Sequence, residues 1–178
     1  MHHTRQRGLT LVEVSTTLSI AAVSAATAVG GFGELIGKRR TEGLAVEIAA
    51  DLQAARTEAV LRNRAVRVTF TEDASGLRCY VIHTGPADAC ECAAAPAGAP
   101  AVCDGDAVEI KTVRLADAGP VRVSANVNSM LYDPRGTVSP GATVQVTGRD
   151  GRELRHVVNL LGRVRTCAVG DWAGYRPC

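Results

Sequence analysis

Aromatic side chains are scarce in this sequence: two Phe, three Tyr and one Trp among 178 residues. That excludes an extensive stacking platform for single-stranded bases. Excess charge is scarce too. The formal net charge is +2, so bulk electrostatics points to neither nucleic acid nor a membrane surface, and any such partner must rest on a local cluster. Catalytic signatures are missing, with no Gly-rich phosphate loop, HExxH or GxSxG. His83 and His156 fall on expected strands without a nucleophile in a known local motif, and His2 and His3 lie in the first eight residues. Asp104 and Asp106 flank Gly105, a pattern more often a turn than a calcium site. We expect no enzyme, no cofactor and no metal.

Charge is also absent from a long stretch near the start. Between Leu9 and Gly33 the only charged residue is Glu13, and no proline interrupts the run. At a rise of about 1.5 Å per residue such a helix crosses a hydrocarbon core of about 30 Å. Arg5 and Arg7 precede it, and Lys38, Arg39 and Arg40 follow. A cleaved secretory signal places its small residue after the apolar core; here Gly8 comes before it. A cut between Gly8 and Leu9 would create an α-amino group, cationic near neutral pH with an ordinary pKa of about 7.7–8.0. Glu13 then lies four residues on, in the first helical turn, where a carboxylate complements the helix dipole. An isolated carboxylate in lipid is costly and must be paired or neutralised. The available partner is an amino terminus, its own or that of a neighbouring copy, and an intermolecular pair would fix the axial register of helices packed side by side. Glu13 is thus expected to act in assembly.

Six cysteines follow the apolar segment: Cys79, Cys90, Cys92, Cys103, Cys167 and Cys178. An even count after a membrane-targeting segment favours disulfides in an oxidising compartment. The competing reading is zinc held by Cys79, Cys90, Cys92 and Cys103, but no CxxC pair is present. Cys90 and Cys92 are too close to bridge each other comfortably, so each is expected to find a distant partner; the connectivity stays open. A bridge between Cys167 and Cys178 would close a short loop, worth roughly 3 kcal/mol by loop entropy, with Trp172 and Tyr175 packing beneath it.

Between Thr41 and Arg64, Leu44, Ile48, Leu52, Ala55 and Ala59 recur at helical spacing, leaving Glu47, Asp51, Arg56, Glu58 and Arg62 largely outside the stripe. The glycines between this half and the membrane half (Gly30, Gly31, Gly33, Gly37, Gly43) are expected to weaken the helix. Alternating runs follow at 65–72, 77–83, 107–115, 121–125, 130–133, 142–148 and 153–161. Residues 85–106, rich in Ala, Pro, Gly and Cys, are expected to form a surface loop stapled by disulfides. Past Gly162, Arg163 and Arg165 share one face of a strand about 7 Å apart, a spacing that suits successive phosphates and a sequence-independent, salt-sensitive contact. Gly162 allows another backbone to approach, and Arg152 is expected to join from the adjacent loop.

Two stretches carry a family resemblance. RQRG-LTLVEV resembles the class III signal of type IV prepilins and type II secretion pseudopilins. The resemblance implies that prepilin peptidase cuts between Gly8 and Leu9 and methylates Leu9, and that Glu13 is the assembly glutamate. MLYDPRGTVSPG, a hairpin and VVNLLGRVRTC then resemble the pilin subfamily that unites FimT minor pilins with GspH pseudopilins; the 85–106 segment is not part of that likeness. The implied fold is α+β: a long N-terminal helix whose second half packs on antiparallel sheet. The implied organisation is a leader at 1–8, a transmembrane and assembly half-helix at 9–37, and a periplasmic domain at 38–178. By resemblance the chain sits in the inner membrane before joining a fibre, with other pilins or pseudopilins as partners. Gly162, Arg163 and Arg165 match a GRxR motif with which FimT proteins bind double-stranded DNA for uptake. A GspH-like pseudopilin of type II secretion is the alternative.

Overall fold

A computed structural model describes residues 10–73, 76–92, 99–115 and 121–178, apart from the side chains of 26–32, 73 and 76–78. The leader, and with it the expected cut between Gly8 and Leu9, lies outside these residues. The chain divides into two units, Met1–Ile36 and Gly37–Cys178. Helix α1, Leu11–Leu61, contributes to both and is assigned straight through the glycines expected to weaken it.

In the first unit the helix starts at a cap. The Glu13 N–H donates to Thr10 Oγ1 at 3.3 Å, so Thr10 and Glu13 occupy the first and last places of a capping box. Further along, Ser15, Thr17 and Ser19 donate their hydroxyls to carbonyls one turn back at 2.8–2.9 Å. Such bonds satisfy the hydroxyls without leaving the helix. Among the described residues no helix is long and apolar enough to cross a membrane. The expected span takes in residue 9 and the side chains of 26–32, which are not described, and the described part is diluted by these Ser and Thr side chains.

The second unit contains the core. Ala45, Ile48, Leu52, Ala55 and Ala59 of α1 are all at most 2% exposed. Full burial of Ile48 or Leu52 is worth about 1.5–3 kcal/mol each. Ala45 rather than Leu44 heads the buried stripe. Against it lie a five-stranded and a four-stranded antiparallel sheet. The first has the order β5-β2-β1-β7-β8, from β1 (Val66–Asp73), β2 (Gly76–His83), β5 (Glu109–Arg114), β7 (Ser129–Tyr132) and β8 (Val138–Ser139). The second has the order β11-β10-β9-β6, from β6 (Arg122–Ala125), β9 (Ala142–Thr147), β10 (Glu153–Val158) and β11 (Val164–Val169). The core faces alternate as strands require: Val66, Val68 and Phe70 on β1, Val144 and Val146 on β9, Leu154 and Val158 on β10.

The described residues of the 85–106 segment include paired strands. There β3 (Cys90–Glu91) pairs antiparallel with β4 (Val102–Cys103). Disulfides join Cys79 to Cys92, Cys90 to Cys103 and Cys167 to Cys178, so the four cysteines considered for zinc are bridged in pairs. The outer face of β2 is thereby covered as well, and Cys79, Val81 and His83 are buried.

One polar residue departs from the sequence expectation. Asp51 is buried, not on the solvent side of the helix. It accepts the Tyr80 hydroxyl at 2.6 Å and the Lys111 ammonium at 2.7 Å. The network ties α1 to β2 and β5, and burial together with the adjoining carboxylate pushes the Tyr80 phenol far up.

Candidate functional site

The β10–β11 hairpin carries the arginine pair, and a glycine contact places it. Gly162 is buried at φ +71°, and a Cβ there would lie 2.1 Å from the Gly136 carbonyl oxygen and 3.0 Å from Arg56 Nε. That same Arg56 Nε donates to Gly136 O at 2.9 Å. The hairpin tip therefore docks on the turn before β8 and on the last turns of α1. The close backbone approach expected at Gly162 occurs, and the approaching chain is the protein's own.

Asn159 closes the tip. Its side-chain oxygen accepts the Arg163 N–H at 3.0 Å, and the Gly162 N–H donates to its carbonyl at 2.8 Å. The run expected to stay in a strand to residue 161 thus ends at Val158, because Asn159 and Gly162 complete a turn that holds Leu160 and Leu161 exposed at 64% and 69%. Arg163 precedes β11 and Arg165 lies within it, opposite Val157. Both are exposed, and neither guanidinium has a partner among the described residues.

Arg152 does not join them. It lies in the β9–β10 turn, where its guanidinium pairs with Asp150 at 3.3 Å. The register runs from Glu153 opposite Val169 to Val158 opposite Val164, which puts the length of β10, roughly 17 Å, between Arg152 and the tip. Nearness in sequence misled here because the strand between runs away from the pair. The residues the sequence reading missed are Arg56 and Gly136. Their one local signal was the glycine in PRG, which gave a turn but no partner.

The other half of the hairpin borders the C-terminal loop. Trp172 is buried as expected, donates its indole N–H to Glu42 at 3.0 Å and meets Tyr175 edge-on at 6.1 Å between ring centroids. His156 is fully buried with Nδ1 3.0 Å from Thr166 Oγ1, while Nε2 has no hydrogen-bond partner. Burial lowers its pKa to about 4, so it is neutral at ordinary pH. His83 is buried between Thr69 and the Thr84 carbonyl, and its pKa is likewise lowered by burial. The side-chain partner of each histidine is a threonine hydroxyl, Thr69 for His83 and Thr166 for His156. Among the described residues no three His, Cys, Asp or Glu side chains converge as metal ligands.

No curated protein sequence matches the chain. Two solved structures share its fold. The type IV minor pilin FimU of Pseudomonas aeruginosa matches with a TM-score of 0.52 at 18% identity, over 75% of this chain and 96% of that one. The minor pseudopilin EpsH of the Vibrio cholerae type 2 secretion system matches with a TM-score of 0.51 at 14% identity, over 74% and 99%. Residues 44–162 match the family model of the type II transport protein GspH, well over half of the sequence, and the chain belongs to that family of pilin-like proteins.

Proposed function

We propose that the chain is a minor pilin of a type IV pilus that binds duplex DNA through Arg163 and Arg165 during uptake. The observation that carries the DNA reading is the pair of exposed, unpartnered guanidiniums on a hairpin whose tip is fixed by Gly162, Gly136 and Arg56. An immobile tip lowers the ordering cost of a phosphate contact. The contact reads phosphate rather than bases, so it is sequence-independent and weakens steeply with salt. Before assembly the chain is held in the inner membrane by 9–37. Prepilin peptidase cuts between Gly8 and Leu9 and methylates Leu9, and Glu13 meets a cationic amino terminus as the helix enters the fibre. Glu13 lies in the first turn of α1, and its side chain is exposed and so open to that pairing. No enzymatic activity is assigned.

The test is retardation of duplex DNA by the full chain in detergent, across a salt series. Arg163→Gln/Arg165→Gln should bind more weakly and lose roughly 2 from the slope of log affinity against log salt, about 0.9 per phosphate contact. Absence of retardation by the unmodified chain at low salt sinks the DNA reading. The second reading, a pseudopilin of type II secretion, is favoured by the family model itself, which describes a type II transport protein and ends at Gly162, before the arginine pair.

A further inference from the structure

The four-stranded sheet ends on one side in a strand that is only partly covered. β11 is an edge strand, and the chain's own tail occupies part of it. The Ala168 N–H donates to the Arg176 carbonyl at 2.9 Å, and the Cys178 N–H donates to the Ala168 carbonyl at 3.0 Å. Ala168 therefore turns its backbone groups away from β10. By the alternation of an antiparallel ladder, Thr166 and Val164 turn theirs the same way. The tail does not reach them, because the Tyr175 N–H folds back onto the Trp172 carbonyl at 3.2 Å. Among the described residues, the outward amides and carbonyls of Thr166 and Val164 have no partner.

Directly beside this open stretch is a groove of about 240 Å³ between the helix and the sheet, bordered by Ala45, Ala49 and Gln53 of α1 and by His156, Thr166 and Tyr175. His156 borders the groove from beneath, 0% exposed and close to the Ala45 backbone. On the opposite face stand the unpartnered Arg165 of this strand and Arg163 just before it.

We propose that this edge accepts an extended segment of another subunit as a fifth strand, with acidic side chains facing Arg163 and Arg165 and small side chains entering the groove beside Thr166. An extended chain already pairs with this edge at Ala168, so its geometry suits strand addition. Residues placed opposite Val164 and Thr166 direct their side chains to the helix side, over the groove, and the residue opposite Arg165 directs its side chain outward. Alanines on the helix wall leave room for Ser, Thr or Asn rather than a large ring. The outer arginines select carboxylates. They also disfavour pairing of β11 with β11 of a second copy, which would bring like charges face to face. The inference stands on the edge and the groove and does not rest on DNA binding.

The test is calorimetric titration of the full chain in detergent with the peptide acetyl-Thr-Glu-Thr-Glu-Thr-amide, with acetyl-Thr-Lys-Thr-Lys-Thr-amide as the opposed-charge control. The acidic peptide should bind and the basic one should not. Val164→Pro removes an outward N–H at the first strand position, where proline is tolerated, and should weaken binding at least tenfold. Ala49→Leu fills the groove from the helix without touching the strand and should weaken it likewise. Duplex retardation run on the same samples reads the arginines alone, so its failure leaves the peptide result standing. No binding at millimolar peptide, equal binding of both peptides, or acidic-peptide binding indifferent to both substitutions overturns the proposal.

Discussion

Gly162→Ala separates a glycine that builds the hairpin from a glycine that touches a ligand. Two costs follow from its geometry. At φ +71° a side chain sits in the left-handed region, at about 1–2 kcal/mol. The added methyl carbon would also lie 2.1 Å from Gly136 O, about 1 Å inside normal contact, and backbone cannot swing aside as a flexible side chain does. Overpacking of this kind costs about 1–3 kcal/mol, so the sum is about 2–5 kcal/mol. For a domain of this size each kcal/mol moves Tm by roughly 2–4 °C, which predicts a fall of roughly 4–20 °C in a thermal melt followed by circular dichroism. Gly151→Ala is the control. It has φ +78° but open space around the new carbon, so only the strain of about 1–2 kcal/mol remains and the fall should be roughly 2–8 °C. DNA affinity measured well below both melting points should drop for Gly162→Ala and stay unchanged for Gly151→Ala. If the two variants melt together, the contact among Gly162, Gly136 and Arg56 does not hold the hairpin and the reasoning fails.

Two further outcomes follow from buried polar groups. Asp51→Ala leaves the Tyr80 hydroxyl buried without an acceptor and the half-exposed Lys111 without its anion, so denaturant unfolding should show a loss of about 2–3 kcal/mol; a loss below about 1 kcal/mol would show that the network is replaceable. His156 has a folded pKa of about 4 against 6.5 unfolded. The unfolded chain therefore binds the extra proton first, and stability is complete above about pH 6.5, falls by up to about 3 kcal/mol towards pH 4 and levels off below it. His156→Phe should flatten that part of the pH–stability curve, and an unchanged slope would assign it to other groups, His83 among them.

The parts of the fold legible in the sequence were those fixed by local periodicity. Ile48, Leu52, Ala55 and Ala59 recur at the period of one helix face, and the β1–β2 and β9–β10 hairpins alternate about their turns; each pattern needs only its own residues. What escaped were positions whose meaning depends on a residue far away. Asp51 lies beside the apolar stripe and reads as solvent-facing until Tyr80 and Lys111 arrive from β2 and β5 to satisfy it. Leu160 and Leu161 read as a strand because they are apolar, but Asn159 and Gly162 bend the chain there. Arg152 and Arg163 lie close in sequence, yet β10 carries them to opposite ends of the sheet. Gly162 shows the limit most clearly. Its identity permits a close approach, a local fact, whereas the approaching group, Gly136 O, is held by Arg56, 80 residues away from Gly136 in sequence. The arginine pair was visible as a motif; the fixed hairpin that gives it a defined orientation became visible only in three dimensions.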